Sequence, residues 1–190
     1  RVLLIDQGRL VMDADSETVV AKYLDRNLIE GSVASESEIV TRVEGTIKKS
    51  EALYFKITEI RLEDIQGVAK SVFNSIEPVV VSVSFKCLQM VRDLRVVAAV
   101  ADENGVPVYG SQNTDDCEVA ENFYTLEPGS YIAKCKFPAN VFSNRKYYLN
   151  VTVLYPKKQQ HNLIKILEFQ VNFGGYNPDI QYASNDWGWF

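Results

Sequence analysis

The sequence predicts an all-β domain: an antiparallel β-sandwich, immunoglobulin-like or jelly-roll in topology, preceded by a short β-hairpin and one α-helix. Three observations carry this reading. From Leu53 to Phe173 apolar and polar residues alternate with period two in about eight short runs. Turn signals rich in Gly, Pro, Asn and Asp separate those runs at intervals of about 10–15 residues. No helical pattern is interleaved with them, which argues against a parallel sheet built from βαβ units.

The first 52 residues are of a different kind. Val2-Leu3-Leu4-Ile5, a turn at Asp6-Gln7-Gly8-Arg9 and Leu10-Val11-Met12 predict a hairpin over residues 1–12. Asp15 or Ser16 caps a helix in which Val19, Val20, Tyr23, Leu24 and Leu28 form one apolar stripe, ending near Glu30. Residues 31–52, mostly Ser, Glu, Lys, Thr and Val without strong period, read as a linker or a weakly ordered strand. The sandwich then occupies residues 53–173.

Its strands follow in order. Tyr54–Leu62 leads to a turn at Asp64-Ile65-Gln66-Gly67, and Val68–Phe73 is short. Val79–Cys87 alternates cleanly. Leu94–Ala101 ends at the hairpin signal Asp102-Glu103-Asn104-Gly105, from which Val106–Asn113 returns. Pro128-Gly129 opens Ser130–Phe137, and Arg145–Tyr155 and Leu163–Phe173 complete the set. The stretch 174–190, rich in Gly, Asn and aromatics and containing Trp187 and Trp189, has no assignable pattern.

Composition narrows the function. The chain has 190 residues, 46% hydrophobic and 24% charged, ordinary values for a globular protein. Its net charge of −5 argues against nucleic-acid binding, which needs a basic face. Residues 1–52 hold 7 Lys/Arg against 10 Asp/Glu, and residues 53–190 hold 13 against 15, so neither part offers a basic surface by composition. A ligand is then expected to be neutral, held by hydrogen bonds and stacking. No apolar run approaches the roughly 20 residues of a membrane span. Cys87, Cys117 and Cys135 show no CxxC spacing and read as reduced thiols of a cytoplasmic protein. The chain opens on Arg1 in mid-pattern, as a piece of something longer does.

Catalytic signatures are missing: there is no phosphate loop, GxGxxG turn, GxSxG elbow or HExxH helix. His161 is the single histidine. Asn113-Thr114-Asp115-Asp116 clusters side-chain oxygens but lacks the spacing of an EF-hand, and Glu118 and Glu121 read as solvated carboxylates rather than a glycosidase pair. What remains is a surface. On Arg145–Tyr155, Tyr147, Leu149, Val151 and Val153 take one face, leaving Tyr148, Asn150 and Thr152 on the other; Tyr109, Ser111 and Asn113 form a similar set. Rings pack on the apolar faces of sugars while amides and hydroxyls pair with sugar hydroxyls. These six residues are therefore candidate glycan contacts, if both strands share a sheet. The same residue types are also what antiparallel strands carry on a solvent side.

Two stretches resemble a known family. Arg1-Val2-Leu3-Leu4-Ile5-Asp6-Gln7-Gly8-Arg9-Leu10-Val11, followed by Ser16-Glu17-Thr18-Val19-Val20-Ala21-Lys22-Tyr23-Leu24, is similar to the last hairpin and helix of an ABC-transporter ATPase domain, with Asp13-Ala14-Asp15 standing where a glycine is usual. The remainder resembles the C-terminal extension of the ATPase subunit of O-antigen polysaccharide exporters (Wzt). The matching residues are Ile57-Thr58-Glu59-Ile60-Arg61-Leu62-Glu63-Asp64, Ile76-Glu77-Pro78-Val79-Val80-Val81, the hairpin Asp102 to Thr114, and Leu126-Glu127-Pro128-Gly129-Ser130-Tyr131. The resemblance implies that residues 1–30 close an ATPase domain and that the sandwich is a non-catalytic module binding the exported polysaccharide. It further implies a homodimer, a transmembrane permease as partner, and a cytoplasmic place peripheral to the inner membrane. ATP and Mg belong to the upstream ATPase domain, and no cofactor is expected here. Teichoic-acid exporters have related architectures. A structural dimerisation or docking module and a glycan-active enzyme are the competing readings.

Overall fold

The computed structural model describes residues 1–6, 9–15, 19, 32–42, 54–118, 121 and 124–174. The expected helix up to Glu30 (save Val19) and the aromatic tail 175–190 lie outside them. Strands β1 (Val2–Asp6) and β2 (Arg9–Ala14) form the expected antiparallel hairpin, with an irregularity between Leu4 and Ile5.

The sandwich has two sheets. Four strands are ordered β11 (Gly129–Phe137), β6 (Val79–Cys87), β4 (Phe55–Glu63), β3 (Val33–Ser35). Five are ordered β5 (Val72–Asn74), β13 (Gln159–Asn172), β12 (Lys146–Tyr155), β8 (Arg95–Asp102), β9 (Pro107–Gln112). All neighbours are antiparallel except β5, which runs parallel to β13. A short pair, β7 (Val91–Arg92) with β10 (Thr125–Leu126), lies apart.

The segment expected as a linker is corrected in part. Residues 33–42 form β3 and a helix, α1 (Glu36–Arg42), so the sheet begins before residue 53. The local signal is a capping box: the Ser35 N–H donates to Glu38 Oε2 at 2.8 Å, three residues on. Ile39 is the buried residue of α1, which packs on β3, β4 and β13.

Two turns share one design. Asp64 Oδ1 accepts the N–H groups of Gln66 and Val68, and Asp102 Oδ1 those of Asn104 and Val106, each at 2.9 Å. Gly67 (φ 84°) and Gly105 (φ 79°) occupy the left-handed position that such a turn requires. Asp-x-x-Gly-Val is therefore a turn unit used twice.

Packing between the sheets is uneven. Phe73, Phe137, Phe142, Tyr147 and Phe169 form a ring cluster with centroids 5.0–5.9 Å apart; such contacts each contribute about 0.5–1.5 kcal/mol beyond area burial. Tyr147 accepts the Ser143 N–H at 2.9 Å, four residues upstream, the geometry of a tyrosine corner. Elsewhere the inner faces carry Val81, Val83, Val96 and Ala98.

One polar side chain ties the sheets together. Gln159 of β13, 2% exposed, accepts the Tyr54 and Phe55 N–H groups on Oε1 and donates from Nε2 to the Phe55 carbonyl at 2.9 Å. With its amide so oriented, Nε2 also donates to His161 Nε2 at 3.0 Å, which leaves the histidine proton on Nδ1. That buried nitrogen has no partner among the described residues. Burial lowers the His161 pKa below its ordinary 6.5. The unfolded chain then binds a proton that the fold rejects, so stability is present above pH 6.5 and is lost as pH falls toward the folded pKa. Urea unfolding will show the midpoint dropping between about pH 7 and about pH 5. In His161→Leu that part of the drop disappears; an unchanged profile contradicts this account.

Candidate glycan-binding site

The five-stranded sheet ends at β9 and the four-stranded sheet at β11. Between these two edges the sheets part, and a cleft of about 350 Å³ opens. Its floor is Val81 and Val83 of β6, Val96 and Ala98 of β8, and Ala133 of β11. Its rim is Ser111, Gln112, Asn113, Asp116, Lys134 and Lys136. An apolar floor of this volume under a polar rim matches the needs of a single sugar unit, whose C–H faces want burial and whose hydroxyls want partners.

The rim is held locally. Ser111 Oγ donates to Asp115 Oδ2 at 3.1 Å, and the Gln112 N–H donates to the same oxygen at 2.9 Å. The Gln112 N–H above all holds the Asp115 carboxyl below the usual range. Asp116 caps the Glu118 N–H at 2.9 Å. The Asn113 to Asp116 cluster thus serves the loop, and among the described residues no three His, Cys, Asp or Glu side chains gather to hold a metal ion. Cys135 faces the cleft, and burial first raises its thiol pKa; Cys87, buried within β6, is pushed up to about 11 by the same cause. A thiol so raised is a poor nucleophile at neutral pH.

Five of the six predicted contacts fall in one sheet, with Asn113 just past the end of β9, but they do not share one face. Tyr109 and Ser111 pair with Val100 and Ala98 and so point inward. The Tyr109 ring meets Phe137 at 5.4 Å and is 38% exposed. Ser111 and Asn113 line the cleft. Asn113 is also a strand clamp: its Oδ1 accepts the Val96 N–H at 2.8 Å and its Nδ2 donates to the Leu94 carbonyl at 2.9 Å.

Tyr148, Asn150 and Thr152 lie on the outer face of the same sheet. Tyr148 is only 8% exposed, with the Lys165 ammonium 4.5 Å from its ring centroid. Asn150 Oδ1 accepts the Lys165 N–H at 2.7 Å across a bulge in which Lys165 takes φ 49°. Thr152 Oγ1 donates to Asn162 Oδ1 at 3.2 Å. Beside them Asn150, Ala99 and Gly110 align across β12, β8 and β9 in a row of shrinking side chains.

Sequence reasoning missed Gln112, Asp116, Lys134 and Lys136 as rim residues. In the sequence Lys134 and Lys136 are only the polar phase of an alternating strand. Nothing in the sequence placed that edge beside β9.

A model of the Wzt C-terminal domain matches residues 50–180. The chain belongs to that family. The crystal structure of the C-terminal domain of wzt superposes with a TM-score of 0.56 at 11% identity, over 80% of this chain and 96% of that one, and shares the β-sandwich fold. A Niemann-Pick type C2 protein from Japanese carpenter ant gives 0.43 at 12% identity, over 67% of this chain and 98% of its own. The CARDB domain of a Pyrococcus furiosus protein gives 0.37 at 12%, over 64% and 98%. Neither of these two bears on function. No curated protein matches the chain. Membership of the Wzt C-terminal family supports a non-catalytic, carbohydrate-binding role in an ABC exporter ATPase. Among the described residues no helix is long and apolar enough to cross a membrane.

The thiols report on the cleft. Under a disulfide reagent, exposed Cys117 reacts first, Cys135 more slowly and Cys87 only on unfolding. Bound glycan slows Cys135 alone; equal slowing of Cys117 contradicts the placement.

Proposed function

We propose that this Wzt-type domain recognises an O-antigen-type polysaccharide and thereby selects the polymer that its ABC exporter carries across the inner membrane. The observation that supports the site most is the cleft between β9 and β11, where Ser111, Gln112 and Asn113 stand over an apolar floor. Recognition needs no bond-breaking step. The floor desolvates one face of a sugar unit, and the rim amides, hydroxyl and charges replace the water its hydroxyls lose. Selectivity follows, because a sugar lacking the matching hydroxyl covers rim groups and leaves them unpaired.

The same reading takes in a homodimer, the permease as partner of the full-length ATPase, and a cytoplasmic position peripheral to the inner membrane. ATP and Mg act in the upstream ATPase domain. A teichoic-acid-type polymer would use the same cleft chemistry. A second glycan position is the outer face at Tyr148, Asn150 and Thr152, favoured by the flat row of Asn150, Ala99 and Gly110.

Amide chemical-shift mapping separates the two positions. Oligosaccharides cleaved from the source organism's surface polysaccharide, titrated into the labelled protein, are expected to move Ser111, Gln112, Ala133 and Lys134. Movement confined to Tyr148, Asn150, Thr152 and Ala99 transfers the site to the outer face. Spectra unmoved at both, with the dimer intact, favour a purely structural module.

A further inference from the structure

The outer face of the four-stranded sheet contradicts what composition suggests. Its strands pair so that Lys136, Val80 and Glu63 form one row; Lys134, Ser82 and Arg61 the next; Ile132, Ser84 and Glu59 the third; and Ser130, Lys86 and Lys56 the fourth. Inward neighbours fix the outward direction of each: Phe55, Ile57, Val81, Val83, Phe85 and Phe137 are all buried. Five cations, Lys56, Arg61, Lys86, Lys134 and Lys136, thus share a face with two carboxylates, Glu59 and Glu63, in a chain whose net charge is −5.

The two carboxylates do not neutralise the face evenly. Glu63 is 4% exposed and turned into the sheet, where it accepts Ser82 Oγ at 2.5 Å and Lys134 Nζ at 2.7 Å. Arg61 forms ion pairs with Glu59 and Glu63 at 3.7 and 3.9 Å, and its buried Nε makes no hydrogen bond among the described residues. Lys56 pairs with Glu36 of α1. Lys86 and Lys136 project into solvent, with Ser84 and the buried Ser82 between them. The face therefore presents the ammoniums of Lys86 and Lys136 on either side of Ser84, beside the ion-paired Arg61 and Lys134.

Lys134 and Lys136 also belong to the cleft rim, so the basic face and the cleft are continuous around β11. Resting on the glycan reading above, the geometry points to an anionic polysaccharide: one sugar unit seated in the cleft and the following units, bearing carboxylate or phosphate, laid over the outer face of β11, β6 and β4. Charge complementarity is the argument, since fixed cations on an otherwise acidic domain attract a polyanion to this face and repel it from the rest. Lys136 would hold one acidic group beside the cleft, and Lys86 would hold a second a few residues along β6.

The test uses the full chain, the surface oligosaccharides of the source organism, and the same material with its carboxylates reduced to alcohols and its phosphates removed. Calorimetry is run on wild type and on the double variant Ser84→Glu/Lys86→Glu, which lies away from the cleft, with thermal unfolding checked for both. The native oligosaccharide is expected to bind wild type about tenfold more tightly than the neutralised form, with affinity falling as salt rises. The double variant is expected to lose that tenfold advantage and to bind the neutralised form as wild type does. A surface polymer without acidic groups, or equal affinity for the two forms, overturns the anionic assignment while leaving the cleft reading standing. Failure of both forms to bind removes the glycan reading and this inference together. Binding of vesicles rich in phosphatidylglycerol through the same face, without binding of the native oligosaccharide, overturns the assignment in favour of a membrane surface.

Discussion

The two sheets are held together where their inner faces carry rings and part where they carry only valine and alanine. At one end Phe73, Phe137, Phe142, Tyr147 and Phe169 fill the gap between sheets roughly 10 Å apart. At the edge formed by β9 and β11 the apolar lining is mostly Val81, Val83, Val96, Ala98 and Ala133, short side chains that leave a cleft of about 350 Å³ beside them. Close packing is the rule of protein interiors, so a gap lined by small residues beside a fully packed ring cluster is a shaped site. Everything functional in this account depends on that contrast in side-chain size. Gln159 supports it from another direction, fixing β13 to the start of β4 through three hydrogen bonds to backbone atoms.

Much of the architecture was legible because local rules and the global fold agree. The alternation of Val79 to Cys87 and of Lys146 to Tyr155 announced both the strands and their buried faces. The Asp-x-x-Gly-Val unit announced two turns. Where reading failed, a specific irregularity intervened. The bulge at Lys165 breaks the period of β13, hiding its first four residues and with them Gln159. The Ser35 to Glu38 capping box is a clear signal, yet a seven-residue helix has too few turns to show an apolar stripe.

The site was harder to read than the fold. Alternation gives two faces but not which one is inner when both carry apolar groups, as in Val108-Tyr109-Gly110 of β9. Only pairing with Val100 and Ala98 turns Tyr109 and Ser111 inward, away from Tyr148, Asn150 and Thr152. Charge shows the same limit. Composition averages over the whole surface, whereas strand register gathers Lys86, Lys134, Lys136 and Arg61 onto one face.

The central claim is that the space left by small inner-face residues is the recognition site. Filling it tests this most directly: Ala98→Leu and Ala133→Leu place extra methyl groups in the cleft without touching a rim hydrogen bond. Calorimetry with the source organism's surface oligosaccharides, beside thermal unfolding of the same samples, is the measurement. The account predicts that binding is lost in both variants while each still unfolds cooperatively, destabilised by no more than about 1–3 kcal/mol. Undiminished binding by a folded, cleft-filled protein would contradict it.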